Sequence, residues 1–193
     1  MTGRTARRSS SARGARPNDN NSRPEPLIAE PADHAIGRSR GGLTTKVHAL
    51  TDGAGRVLVV LLTGGNVHDS PMFTQLMAAL RVARSGPGRP RTRPDYLLAD
   101  KGYSSRANRQ LLRDRGIGHT IPEKADQAAH RRRRGPAGGR PPGFDPGRYA
   151  RRNTIERGFC QLKQWRGLAT RYDKHARNYA GALSLAALLT WLP

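Results

Sequence analysis

Tyr96-Leu97-Leu98-Ala99-Asp100-Lys101-Gly102-Tyr103-Ser104-Ser105 is the stretch on which the fold turns. Tyr96 to Ala99 reads as a short buried strand that ends in Asp100, and Gly102 opens a turn. Ser104 or Ser105 then caps a helix through Leu111 and Leu112, with Gly116 as its stop. Ile117 to Ile121 reads as a further strand, closed by Pro122. A carboxylate at the C-terminal end of a buried strand in an α/β sheet stands at the rim where ligands bind. Asp100 holds that position. The alternative is a capping or turn aspartate.

Upstream, Leu43 to Thr51 alternates polar and apolar residues, with Val47 and Ala49 on one face and Lys46 and His48 on the other. Asp52-Gly53-Ala54-Gly55 supplies a turn, and Val57 to Leu62 is the continuous apolar run of a strand buried on both faces. Ser70-Pro71 reads as N-cap and first position of a helix to about Val82, with Phe73, Leu76, Met77 and Leu80 on one face. Downstream, Asp145-Pro146 repeats the capping signature and predicts a helix that continues past Trp165, weakened at Gly158. A last helix, about Ala176 to Leu192, is apolar enough for the core. This order predicts an α/β domain with a mixed sheet and flanking helices.

Two segments fall outside the pattern. Residues 1–41 read as a disordered Arg/Ser/Pro-rich tail, too polar to offset the entropy of ordering. Within the domain at 42–193, residues 124–144 read as a mobile basic loop carrying Arg131 to Arg134. The whole chain has 193 residues and 35 Lys and Arg against 14 Asp and Glu, a net charge of +21. Such an excess calls for a polyanion, and nucleic acid is the leading partner. One cysteine excludes an internal disulfide framework and a multi-thiolate zinc site. The longest apolar stretch, Gly181 to Leu192, is shorter than the ~20 residues of a membrane span. No apolar run follows the basic N-terminus, so no secretory signal is read there and a cytoplasmic, nucleoid-associated protein is expected.

The second candidate group is Tyr149, Arg152, Glu156 and Lys163, separated by three, four and seven residues. On one continuous helix their directions fall within roughly 60° of one another. Ile155, Phe159 and Leu162 lie on the neighbouring stripe, so the polar stripe borders the buried face. An exposed ladder of weak ion pairs is the competing reading. Phosphodiester chemistry fits the pattern, because hard cations such as Mg²⁺ favour carboxylate oxygens, here Asp100 and Glu156. Lys163, Arg166 and Arg171 would hold phosphates. Trp165 and Tyr172 suit either base stacking or core packing, the second being favoured. His48, His68 and His119 match no metal spacing, and Cys160 reads as a small packed side chain.

These residues resemble a known family. Asp100-Lys101-Gly102-Tyr103-Ser104-Ser105 resembles the block around the second acid of bacterial insertion-sequence transposases with a DDE active site, in the insertion-sequence four/five group. Tyr149, Arg152, Glu156 and Lys163 match the Tyr-Arg-Glu-Lys signature around the third acid. The stretches Gly37 to His48 and Ala169 to Lys174 are similar to segments of the same family. The resemblance covers about residues 33 to 192 and implies a ribonuclease H-like core, Mg²⁺ (or Mn²⁺) dependence, and cut-and-join chemistry at element ends and target DNA. It makes Asp100 and Glu156 catalytic metal ligands, with Tyr149, Arg152, Lys163, Arg166 and Arg171 in contact with DNA.

The family's first acid lies on the central strand, ahead of the segment matched at Gly37. Here that stretch is the basic tail. Asp19 and Asp33 lack apolar flanks, Asp52 belongs to a hairpin turn and Asp69 to a helix start. The expected product is therefore a catalytic-domain part that lacks its central strand and is inactive alone. It would be a remnant, or the second frame of a fusion made by ribosomal frameshifting; a homo-oligomer is a further expected partner arrangement. The rival function is non-catalytic DNA binding, as an inhibitor of transposition.

Overall fold

The computed structural model describes residues 31–192. It has five strands and seven α-helices in the described residues: β1 (Gly37–Ser39), β2 (Gly42–Thr51), β3 (Val57–Gly64), α1 (Asp69–Ala79), β4 (Tyr96–Leu98), α2 (Arg106–Asp114), β5 (Gly118–Thr120), α3 (Ala125–Arg133), α4 (Pro146–Ala150), α5 (Asn153–Lys163), α6 (Arg166–Ala169) and α7 (Ala176–Leu189). The expected mixed α/β architecture is present, and among the described residues its strands fall into two sheets. The antiparallel strands β1-β2-β3 form one sheet and the parallel pair β4-β5 another. Among the described residues, Thr45–Thr51 of β2 pair only with β3, and β4 pairs only with β5. No described strand joins the two sheets.

The hairpin and the α2 unit follow the sequence closely. Val47 faces Leu62 and Ala49 faces Val60 across the β2-β3 ladder. Ser105 caps α2 by accepting a hydrogen bond from the Asn108 amide (3.0 Å). Gly116, with φ +62°, supplies the left-handed residue after that helix. The helix expected with Ser70 as N-cap begins two residues earlier, with His68 as its N-cap and Asp69 its first residue, and ends at Ala79.

Other expectations are corrected. Residues 1–30 of the expected tail lie outside the described residues. Within 31–41, however, a 3₁₀ turn (Ala32–His34) and β1 are formed, and β1 pairs with the start of β2. The stretch 124–144 contains α3 and a 3₁₀ turn (Gly135–Gly138) where a loop was expected. Ala and Arg are good helix formers, and both oxygens of Glu123 accept hydrogen bonds from the Arg131 guanidinium (3.1 and 2.9 Å). The one helix expected from Asp145 past Trp165 is three. Asp145 does cap α4, accepting from the Arg148 amide (3.0 Å). The chain then tightens at Arg151 and Arg152 through bonds to carbonyls three residues back, and Trp165 is extended.

Gly158 has a packing reason to interrupt good helix formers. A Cβ there would lie 3.3 Å from the Gly55 carbonyl oxygen, so α5 crosses the hairpin turn at close range. β3 packs on both faces, though among its residues only Val59 is buried and the rest are half-buried. Val60 and Leu62 pack with Leu162, Leu168, Tyr179 and Leu183 under α5–α7, while Val59 packs with Leu76 and Leu80 of α1. A third cluster, Phe73, Met77, Leu97, Leu112, Ile117 and Ile121, seats β4 and β5 against α1 and α2. Helix α7 is buried on one face only; Leu185 and Leu188 are exposed, contrary to a fully apolar core helix.

Candidate active site

Asp100 leaves β4 on the exposed side and caps the 3₁₀ turn Lys101–Tyr103, its Oδ2 accepting from the Gly102 amide (3.4 Å). Asn108 anchors that turn from below, donating to the Tyr103 carbonyl (2.9 Å) and the Ser70 hydroxyl (3.2 Å). Tyr103 reaches across the divide between the sheets. Its hydroxyl shares a hydrogen bond with His48 Nδ1 (3.3 Å) on β2, and His48 Nε2 meets the Thr63 hydroxyl (2.9 Å) on β3. Burial, with the charges of Asp69 and Asp100 added, pushes the Tyr103 phenol up to about 12. Burial also lowers the buried His48 imidazole below its ordinary value, with Asp69 opposing and Lys46 assisting. His48 thus links β2 and β3 to the turn that follows β4.

The second element arrives through α4. The Arg148 guanidinium stacks 4.4 Å from the Tyr96 ring centroid at the start of β4. The next residue, Tyr149, lies 5.4 Å by ring centroid from the Arg152 guanidinium, which donates to Glu156 Oε1 (2.5 Å). The break between α4 and α5 therefore preserves the Tyr149-Arg152-Glu156 association. Burial raises the Tyr149 phenol, opposed by Arg152 and helped by Asp100 and Glu156. For Arg152, burial works against its charge, but the bond to Glu156 and the negative groups around it, Asp100 included, raise it overall. The field of Asp100 thus reaches two members of the signature from a different part of the chain.

Asp69 also enters this region. Its Oδ1 accepts from Lys46 Nζ (3.1 Å), which also donates to the Val67 carbonyl (2.7 Å). Its Oδ2 lies 3.3 Å from the point where a Cβ on Gly102 would stand, and Asp100 Oδ2 lies 3.7 Å from that point. Sequence spacing does not foretell this approach, because it depends on how α1 docks. The His68-Asp69 pair just before an amphipathic helix is the local signal available.

Lys163 is exposed on α5, two turns from Glu156, and Arg166 is exposed at the start of α6. Arg171 is engaged elsewhere: its guanidinium donates to the carbonyls of His34, Ala35 (3.2 Å), Asp173 (3.3 Å) and Lys174 (3.1 Å). It ties the segment before β1 to the loop before α7. Trp165 and Tyr172 are 53% and 66% exposed, so core packing is not their role. Cys160 is exposed as well, not packed. Asp52 holds the hairpin turn by accepting from the Ala54 and Arg56 amides (both 2.9 Å). Asp33, His34 and His175 place one ligand atom each within 4.8 Å of one another, with Asp33 Oδ2 3.1 Å from His175 Nδ1. A cleft of about 710 Å³ opens between the hairpin turn, α5 and the end of α7, and its lining includes Arg56, Arg157 and Trp165 but neither Asp100 nor Glu156.

The arrangement offers oxygen donors on three elements, set among guanidinium and ammonium groups. Hard divalent ions take such donors, and the neighbouring cations suit a polyanionic backbone. The family model for the transposase DDE domain matches residues 21–191. The chain is 34% identical, over 80% of its own length, to a protein from Burkholderia cepacia named as a candidate transposase for insertion sequence element IS402. It spans 65% of that relative, less than two thirds of it. It is 27% identical, over 78% of its length and 99% of the relative, to a protein from Brucella ovis named as a candidate transposase for insertion sequence element IS6501. No solved structure matches it. With the family model matching most of the chain, and both relatives named for the same kind of element, the chain belongs to the DDE transposase family, a class of divalent-metal-dependent recombinases.

Proposed function

We propose that this chain binds DNA at insertion-sequence ends and forms part of the centre that cuts and joins it. Asp100 and Glu156 would hold Mg²⁺ or Mn²⁺, Tyr149 and Arg152 would position the scissile phosphate, and Lys163 and Arg166 would bind the flanking backbone. The observation that carries this is the association of Tyr149, Arg152 and Glu156 beside β4, where the neighbouring Arg148 stacks on Tyr96 of the strand that leads to Asp100. Arg171, already clamped to backbone carbonyls, supports the fold and is a weaker candidate for phosphate. When bound, divalent ions activate the attacking oxygen and stabilise the leaving one.

In the proposed reaction, water attacks the end phosphodiester. The bond from phosphorus to the 3′ oxygen breaks, leaving a 3′ hydroxyl and a 5′ phosphate. The 3′ hydroxyl then attacks a target phosphodiester, forming a new P–O bond as the target's own 3′ oxygen departs as hydroxyl. The chain's own side chains orient both phosphates. Its sequence offers no acid flanked by the apolar residues of a central strand, and on this reading cleavage by the chain alone is expected to be poor. Fusion with an upstream frame, or assembly with further copies, would supply the missing part, in the cytoplasm and at the nucleoid.

Non-catalytic DNA binding that inhibits transposition is the second reading, favoured by the net charge of +21. Cleavage of element-end DNA with Mg²⁺, compared between the chain, its upstream fusion and Glu156→Gln, tests the choice. Cleavage by the fusion that the substitution abolishes supports the first reading. Equal DNA binding with no cleavage in any combination supports the second.

A further inference from the structure

The cleft between the hairpin turn, α5 and the end of α7 is lined by neither Asp100 nor Glu156. Thr154, Arg157 and Gln161, three and four residues apart, form its α5 wall. On an ideal helix Glu156 and Lys163 stand roughly 140° around the axis from that wall. Helix α5 therefore carries two polar faces, and only one belongs to the candidate active site. The hairpin turn Gly53-Ala54-Gly55 forms another wall and projects almost no side chain into the space.

Arg and Trp occur twice around this cleft, in different states. Arg56 pairs with Asp52 (2.6 Å), and its guanidinium lies 4.5 Å from the Trp191 ring centroid. Trp191 donates its indole N–H to the Val57 carbonyl (3.2 Å). That set ties the hairpin to the chain just past α7. Arg157 and Trp165 are not so engaged. Among the described residues neither side chain has a hydrogen-bond, ion-pair or ring partner, and Trp165 is 53% exposed. No carboxylate lines the cleft, and its volume of about 710 Å³ lies in the range of sites for small organic molecules. An open indole face beside a guanidinium matches a ligand with a flat ring and a negative charge, as a nucleotide has. A second copy of the chain would bring the same positive excess and is disfavoured. In a duplex the base faces are stacked on one another, so only an unpaired base offers one to Trp165.

We propose that this cleft binds an unpaired stretch of DNA, with a base stacked on Trp165 and its phosphate held by Arg157. The inference rests on DNA being the partner, as proposed above, and not on the metal assignment of Asp100 and Glu156.

The test is fluorescence anisotropy of a labelled oligothymidylate, and of a labelled duplex, with the full 193-residue chain and no divalent ion. Circular dichroism confirms folding of each variant. Trp165→Leu should weaken oligothymidylate binding about tenfold and leave duplex binding unchanged, and Trp165→Phe, which keeps a ring, should weaken it much less. Arg157→Gln should reduce the salt slope for oligothymidylate by about 0.7. If Trp165→Leu leaves oligothymidylate binding unchanged, or weakens duplex binding equally, the inference fails and DNA as the partner stands. Failure of the wild-type chain to bind either oligonucleotide overturns both. A Trp165→Phe loss as large as that of Trp165→Leu, or an unchanged slope in Arg157→Gln, also overturns the inference. So does a dimer in sedimentation velocity that Trp165→Leu converts to monomer, because the occupant is then a second copy.

Discussion

Replacing Arg152 by alanine separates the roles this residue plays in the fold and on DNA. In the fold it makes one ion pair with Glu156, four residues on, at side-chain exposures of 25% and 53%. Such a pair is screened and contributes roughly 0.3–0.5 kcal/mol. Its guanidinium lies 5.4 Å from the Tyr149 ring centroid, a contact of about 0.5–1 kcal/mol at a partly exposed site. Arg152→Ala should therefore cost about 1.5 kcal/mol at most in a urea denaturation. On DNA, loss of one phosphate contact should reduce the slope of log K against log salt by about 0.9. Fluorescence anisotropy with duplex DNA at several salt concentrations reads that slope. An unchanged slope would refute the phosphate role. A stability loss above about 3 kcal/mol would refute the packing argument, since nothing in the described contacts accounts for it.

Three further outcomes follow from the packing and charge. Leu112, fully buried beneath β4, should cost about 2–5 kcal/mol when cut to alanine, against about 0.5 or less for exposed Leu185→Ala; equal urea midpoints would discredit the core assignment. Gly55 has φ +90° and its Cβ would stand 2.9 Å from Thr154 Cγ2, so Gly55→Ala should lose about 1–3 kcal/mol, again by denaturation, and a neutral result would mean that α5 does not cross there. His48, lowered in the fold, stays neutral while the unfolded chain takes up a proton below 6.5. Stability should accordingly fall as pH drops from about 6.5 toward the folded value, by up to ~1.4 kcal/mol per pH unit from this group. A stability–pH curve that His48→Gln does not flatten in that window would remove His48 as the cause.

The parts of the fold legible in the sequence are those set by local pattern. Val47 and Ala49 alternate with polar neighbours, Val57 to Leu62 runs apolar throughout, and Ser105 stands where a cap belongs; each became the expected element. The Arg131–Arg134 run was obscured by composition, because charge density suggested solvation while Ala and Arg propensity sufficed for a helix. The exposure of Trp165 and Tyr172 depends on where α6 rests, which no spacing encodes. In the candidate site, Tyr149, Arg152 and Glu156 were legible because they stand three and four residues apart, a spacing that keeps them together across the break between α4 and α5. Asp69 was not, since its approach to Asp100 is created by α1 docking beneath β4.

The division of the strands into two sheets also bears on the order of folding. β2 and β3 are joined by a short turn, and β4 and β5 by a single helix, so each sheet closes a short loop at little entropic cost. Helices α5 and α7 meet β3 only across about a hundred residues of intervening chain, the slowest kind of contact to establish. Asp69 and Asp100 belong to the early, local parts, while Glu156 rides on a late one. The three carboxylates would thus assemble in sequence, with the arrival of Glu156 marking a chain that has finished folding.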